Sequence, residues 1–248
     1  MSDEGAGPRA AGAGRRGSTR LAIVGDDPII AAAAADAGDV VDDPADAEAV
    51  VAVGESALLS LVPDGARPTL AVDVCGPLSF SRERAAAALS HLARGTLETV
   101  DQSVVAVEYP GGREHVLTDA MLVTAEPARI SEYSVHHRGR EVARFRADGC
   151  VVATPLGSHG YAAAAGGPSL APTAGVAAVV PVAPFAIDTD RWVLPLPLSL
   201  CVERDEADVE LLADDRRAGS IPAGEPVRLG RAGDLPLVDP RSVPTGPE

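Results

Sequence analysis

Between Arg20 and Arg94 short apolar runs alternate with stretches of helical period. Leu21 to Val24 is a run halted by Gly25-Asp26-Asp27. Pro28 then opens an alanine-rich helix to about Ala37, with Asp27 placed to cap its free backbone amides. A second strand is expected near Val40-Val41 and a third over Ala49 to Val53, after which Gly54-Glu55-Ser56 leads into a helix over Ala57 to Leu61. The turn residues Pro63-Asp64-Gly65 precede a further strand, Thr69 to Val74. Ser81 through Arg94 places Ala85, Leu89 and Leu92 on one helical face. Apolar strands alternating with helices predict a Rossmann-like α/β unit with a parallel sheet.

After Gly95 that rhythm stops. Extended segments follow at Ser103 to Glu108, Val116 to Val123, Arg129 to Val135 and Glu141 to Arg146, separated by the turns Pro110-Gly111-Gly112 and Arg138-Gly139. Later ones are Val176 to Val182, Trp192 to Leu194, Leu198 to Glu203, Asp208 to Leu212 and Val227 to Leu229. The expected organisation is a disordered tail over 1–19, an α/β domain over 20–95, a mainly β domain over 96–230 and a C-terminal tail over 231–248. That last stretch is rich in Pro and Asp and is expected to fray, with Leu235 and Leu237 able to dock on the first domain. No internal repeat is visible.

Charge narrows the partners. Asp and Glu number 36 against 21 basic residues, and every one of the 21 is arginine. A net charge of −15 disfavours binding to nucleic-acid phosphates. In molar salt the screening length falls to roughly 3 Å, so a lysine-free acidic chain points to a high-salt, halophilic cytoplasm; a GC-rich genome explains arginine over lysine but not the acidic excess. No apolar run approaches bilayer length and the first twenty residues lack a secretory hydrophobic segment, so a soluble cytoplasmic protein is expected, with no membrane partner. Cys75, Cys150 and Cys201 are widely spaced and odd in number, which signals ordinary buried thiols rather than a disulfide framework or a zinc site. His136 and His137 would point to opposite faces of an extended segment, poor geometry for a shared metal.

Two segments carry chemistry. At Gly54-Glu55-Ser56 a carboxylate stands beyond a strand end and at a helix start, where it can orient or deprotonate a hydroxyl. On spacing alone, Glu55 capping the next helix is the simpler reading. The stretch Asp148 to Pro168 weighs more. An Asp-Gly pair, the apolar run Cys150 to Ala153, two hydroxyls and a glycine within five residues, and then Gly166-Gly167 suit backbone approach to a polar ligand, as one wall of a nucleotide pocket. Taken singly, Asp148-Gly149 is a common turn and Ala162 to Ala165 a small-residue packing surface.

Thr154-Pro155-Leu156-Gly157-Ser158-His159-Gly160-Tyr161, with Ala165-Gly166-Gly167-Pro168 after it, resembles the signature of the NAD kinase family, TPTGSTAY followed by SAGGP. Asp148-Gly149 stands where that family has its preceding Asp-Gly, and weaker similarity runs from about Arg20 to Gly230. Val53-Gly54-Glu55-Ser56-Ala57 lies at the family's Gly-Gly-Asp-Gly-Thr, whose aspartate engages the ribose hydroxyl to be phosphorylated. Thr118-Asp119 falls at its Asn-Glu or Asn-Asp pair, and Pro181 to Phe185 at its Pro-x-x-Pro-His.

The resemblance implies phosphoryl transfer from ATP, or polyphosphate, to the 2′-hydroxyl of the adenosine ribose of NAD, with Mg²⁺ accompanying ATP and a dimeric or tetrameric assembly. Glu55 would be the catalytic base or orienting group. Gly54, Ser56, Thr118, Asp119, Asp148, Thr154, Gly157, Ser158, His159, Tyr161, Gly166 and Gly167 would form the nucleotide contacts. The departures at Val53, Glu55, Ser56, Thr118, His159 and Phe185 leave the NAD-facing wall closer to the family pattern than the donor loop. The rival reading is therefore a non-catalytic NAD(H)-binding homologue that has lost the donor loop. The absence of lysine excludes a P-loop.

Overall fold

A computed structural model describes residues 18–62, 67–126, 129–205 and 207–244. The first part holds β1 (Arg20–Val24), α1 (Pro28–Ala37), β2 (Asp39–Val41), β3 (Ala49–Val53), α2 (Glu55–Ser60), β4 (Thr69–Val72), β5 (Ser79–Phe80) and α3 (Arg82–Ala93). Its strands pair in the order β2-β1-β3-β4-β5, all parallel. Such a sheet needs cover on both faces, and the sequence supplies it by alternation. Ala49, Val51, Leu70 and Val72 face Ile30 and Ala34 of α1 and Ala85, Leu89 and Leu92 of α3. Val50, Ala52 and Ala71 face Ala57 and Leu58 of α2, together with Leu117, Leu156, Leu235 and Leu237 from the rest of the chain.

The helix starts form for the expected local reasons. Asp27 accepts hydrogen bonds from the backbone amides of Ile29 and Ile30, at 2.9 and 3.1 Å. Ser81 accepts from Arg84 N at 3.4 Å. An N-cap of this kind stabilises a helix by about 1 kcal/mol. The Pro63-Asp64-Gly65 turn lies outside the described residues.

The second part holds β6 (Thr99–Tyr109), β7 (Gly112–Val116), β8 (Asp119–Thr124), β9 (Ser131–His137), β10 (Arg140–Ala153), α4 (Tyr161–Ala164), β11 (Val176–Pro184), β12 (Trp192–Pro195), β13 (Leu198–Arg204), β14 (Val209–Ala213), β15 (Arg216–Ile221) and β16 (Pro226–Val238). Its internal pairings are antiparallel, β15-β14-β8-β10-β9-β13-β16 in sequence, with β11 on β10 and β6 on β16. The anticipated α/β half and mainly β half are both present, joined through β16 into one hydrogen-bonded sheet.

Three expectations need correction. Asp148-Gly149 is no turn. It lies within the 14-residue strand β10, where that strand exchanges β9 for β8: Ala147 pairs with Ser131, and Gly149 with Val123. A Cβ on Gly149 would stand 2.6 Å from the Leu122 carbonyl oxygen, so the glycine permits close strand contact rather than a bend. Residues 231–238, expected to fray, are the second half of β16, with Leu235 and Leu237 at 1% and 0% exposure. The docking expected of those two leucines is what holds that segment in place. Cys75 is exposed rather than buried, whereas Cys150 is fully buried and Cys201 partly so.

The expected N-terminal tail lies outside the described residues up to position 17. Thr19 is already held, its hydroxyl donating to Ala93 O at 2.6 Å and its carbonyl accepting from Asp39 N.

Candidate functional site

Parallel strands leave their carboxyl ends open to a crevice, and here the other half of the chain closes it. A cavity of about 660 Å³ lies between the α2 start, the segment after β4, the β8 start, the Leu156–Tyr161 turn and the β14–β15 hairpin. Glu55, Thr118, Asp119, Gly157 and Tyr161, all expected from the sequence, line it together. Glu55 is brought there by Gly54, which donates its N–H to Val72 O at 2.8 Å and turns the chain at φ +85°. No atom lies within 4 Å of a Cβ built on Gly54, so the requirement for glycine is conformational.

The replacements on either side fall where the backbone makes no such demand. Val53 ends β3 and Ser56 lies in the first turn of α2, and neither has positive φ. The loop after β3 has thus kept glycine at the one of these positions whose geometry needs it. The exposed Ser56 side chain is not part of the cavity wall.

Opposite Glu55, the wall is built on the Leu117–Asp119 segment. Thr154 N donates to Thr118 O at 2.8 Å and the Thr154 hydroxyl to Leu117 O at 2.6 Å. A Cβ on Gly157 would lie 2.0 Å from that same Thr118 oxygen, so only glycine allows the turn to approach. From the other side the Asp214 carboxylate accepts from Thr118 N at 2.8 Å and from the Thr118 hydroxyl at 2.6 Å.

The cavity wall is apolar through Leu58, Leu59, Val74, Met121 and Leu156, and acidic through Glu55, Asp119, Asp214 and Asp215. Among the described residues none that lines it is basic. Burial, then the charges of Asp214 and Glu55, push the Asp119 carboxyl up to about 7. Apolar surface suits a base or nicotinamide ring, and carboxylates suit ribose hydroxyls, which donate.

The remaining candidates serve the frame of this wall. Ser158 is fully buried, its hydroxyl donating to Pro155 O at 2.7 Å and accepting from Leu170 N at 2.9 Å. It therefore ties the turn down rather than facing a ligand. Gly167 packs against Val180 and the Ala162 carbonyl, and Gly166, at φ +80°, lies against Arg191. Both serve chain packing and lie apart from the cavity wall. Asp148 is half-buried on β10, with its carbonyl accepting from Thr124 Oγ1 at 2.7 Å. His159 stands behind the wall with a buried Nε2 that has no partner, near Gly76, and its carbonyl accepts from Cys75 Sγ at 3.2 Å.

Asp214 and Asp215 were not legible as site residues. An acidic pair between Ala213 and Arg216 reads as ordinary turn chemistry, and β15, which makes the pair a hairpin tip, carries no strand signal in Arg216–Ile221. Beyond the carboxyl ends of the parallel strands, Arg82 joins the segments that follow β1 and β4 through Asp27 at 2.7 Å and Asp73 at 3.0 Å. The amides of Ile30 and Ile29, with Arg82, hold the Asp27 carboxyl below the usual range against the opposing effect of burial.

Comparison with known proteins bears on the same residues. The family profile described as ATP-NAD kinase C-terminal domain matches residues 117–233, which contain Thr118, Asp119, the Leu156–Tyr161 turn and Asp214. A NAD kinase of Methanosarcina mazei is 33% identical over 121 residues, 48% of this chain and 42% of that protein. The matched stretch thus spans less than half the length of that relative. A NAD kinase of Thermoplasma acidophilum is 26% identical over 194 residues, 75% of this chain and 71% of its own length.

Two solved structures share the fold. A yeast NADH kinase complexed with NADH has a TM-score of 0.75 at 14% identity, covering 90% of this chain and 84% of that one. A NAD kinase from Archaeoglobus fulgidus in complex with ATP has 0.73 at 21%, covering 91% and 100%. The chain is thus similar to NAD kinases over residues 117–233 and shares the two-part fold of the two solved structures.

Proposed function

We propose that this chain phosphorylates NAD at the 2′-hydroxyl of its adenosine ribose, giving NADP, with ATP or polyphosphate as donor. The observation that carries the reading is that Glu55, from the parallel sheet, and Thr118, Asp119, Gly157 and Tyr161, from the β half, line a single cavity. The solved relatives bind NADH and ATP, and the cavity, about 660 Å³, is large enough for much of a dinucleotide.

In this reading Tyr161 and the apolar wall hold a ring of the dinucleotide, and Asp119 and Thr118 take hydroxyls. Glu55 accepts the proton of the 2′-hydroxyl as its oxygen bonds to the terminal phosphorus of the donor. The bond to the bridging oxygen breaks, ADP departs with its electron pair, and Glu55 returns the proton to solvent. Such transfer depends on alignment and charge neutralisation more than on covalent chemistry. Mg²⁺ enters with the donor, carried by its phosphates as part of the substrate.

No helix of the described residues is long and apolar enough to cross a membrane. A homodimer or homotetramer is proposed from the family resemblance, and the exposed Phe185 and Ile187 offer apolar surface for it.

The test is incubation of the pure protein with NAD, ATP and Mg²⁺ in concentrated salt while NADP is followed. Turnover in the parent, and its loss by a factor of roughly a hundred or more in Glu55→Gln, is expected. Tight NAD binding with no NADP from the parent would leave a binding protein without the kinase step.

A further inference from the structure

We propose that Asp214 is the positioning residue of the nucleotide wall, setting both the place and the charge state of Asp119. The role rests on the dinucleotide reading above and adds to it a residue outside the family signature.

Asp214 sits at the tip of the β14–β15 hairpin with φ +53°, a left-handed conformation unfavourable for most side chains and tolerated by Asp. What that conformation achieves is visible in its partners. One carboxylate accepts from three successive backbone amides, Leu117 N at 3.2 Å, Thr118 N at 2.8 Å and Asp119 N at 3.2 Å, and from the Thr118 hydroxyl at 2.6 Å. Its own N–H donates back to Asp119 O at 2.8 Å. The start of β8 is therefore gripped on both its N–H and its C=O side by one residue. The same segment receives the Thr154 bonds and the bare face of Gly157, so Asp214 lies under the contact between the two parts of the wall. A backbone outlier sustained by this many partners is how a fold fixes a functional group in place.

The second effect is electrostatic. Burial raises the Asp119 carboxyl most, and the neighbouring Asp214 carboxylate and Glu55 raise it further. The other titratable groups lining the cavity are Asp215 of the hairpin, Glu55 of α2, Cys75 after β4 and Tyr161 of α4. None is basic, so removal of the Asp214 charge leaves fewer negative neighbours and lowers the pH at which Asp119 ionises.

The test uses the full chain and the variants Asp214→Asn and Asp214→Gly, both compatible with a left-handed backbone. The Asp119 carboxyl is titrated by carbon NMR, and NAD is bound calorimetrically across the pH range around 7. In the parent a midpoint near 7 is expected, with NAD binding tightening as Asp119 ionises. Asp214→Asn is expected to lower that midpoint, and Asp214→Gly to weaken NAD binding roughly tenfold or more, as for a lost set of charged hydrogen bonds. If the Gly variant does not fold, the Asn variant carries the test alone.

The proposal is overturned if the variants merely lower the melting temperature while the Asp119 midpoint and the NAD affinity stay at parental values. The NMR midpoint needs no ligand. A parent that binds no NAD would sink the dinucleotide reading, and the fate of the Asp119 titration in Asp214→Asn would still decide the positioning role.

Discussion

Gly157 shows how one absent methyl group shapes the candidate site. The three nearest atoms to a Cβ there are all backbone, the O, C and Cα of Thr118 at 2.0, 2.5 and 2.9 Å. Backbone gives way far less readily than a side-chain end, so Gly157→Ala must push the turn off the start of β8. Overpacking of this kind costs about 1–3 kcal/mol, and the displaced residues are those lining the cavity. Gly157→Ala is expected to lose that much stability in urea unfolding and to bind NAD more weakly. Gly175→Ala, with nothing within 4 Å of its Cβ, is expected to change neither. The motif marked Gly157 as a contact residue, but its partner Thr118 is 39 positions away in the chain. The residue type was legible and the reason for it was not. Ser158 is the converse case, because a hydroxyl in a ligand-binding motif looks the same in sequence whether it faces a ligand or, as here, bonds inward to Pro155 and Leu170.

Elements formed by local rules were read to within a few residues. Proline, an acidic cap and alanines mark α1, and five apolar residues mark β3. What failed was strand continuity, because a long strand running through both halves of the sheet draws its pairing from distant partners. β16 contains Gly230, Gly233, Asp234 and Pro236, all poor strand formers, yet β6 pairs with it from Arg228–Glu108 to Val238–Thr99 across a register shift between Arg231 and Gly233. β15 is likewise polar and holds its course beside β14, with Gly219 under the Tyr109 ring and the Tyr109 hydroxyl donating to Ala218 O at 3.2 Å. β16 also reaches the parallel sheet, since Leu237 pairs with Thr69 and packs, like Leu235, in the core formed by α2 and Leu117. Leu237→Ala is expected to cost about 2–5 kcal/mol. If β16 couples the two halves, that loss appears as one shifted transition in chemical denaturation. A split into two transitions would mean that the halves unfold independently.

At the scale of the whole molecule the governing quantity is the net charge of −15. Most ion pairs among the described residues join an exposed arginine to an exposed or half-buried carboxylate, such as Arg217 with Glu210 and Arg231 with Asp234, and such surface pairs contribute about 0–1 kcal/mol each. Repulsion among the excess carboxylates acts over longer distances and opposes compaction. At about 0.15 M salt the screening length is about 8 Å, and at about 1 M it is about 3 Å. Salt therefore removes the long-range repulsion while close contacts such as Arg82 with Asp27 at 2.7 Å are screened least. The cavity adds its own term, because Glu55, Asp119, Asp214 and Asp215 would face the proposed anionic nucleotide, and among the described residues none that lines it is basic. Both effects have the same sign. Raising potassium chloride from tens of millimolar to molar is expected to raise the melting temperature and to tighten NAD binding. A nucleotide site built on arginine and lysine would instead weaken as salt screened its attraction. A melting temperature and an NAD affinity that stay flat or fall across that range would exclude adaptation to a saline cytoplasm, leaving codon bias to account for the lack of lysine and nothing here to account for the acidic surplus.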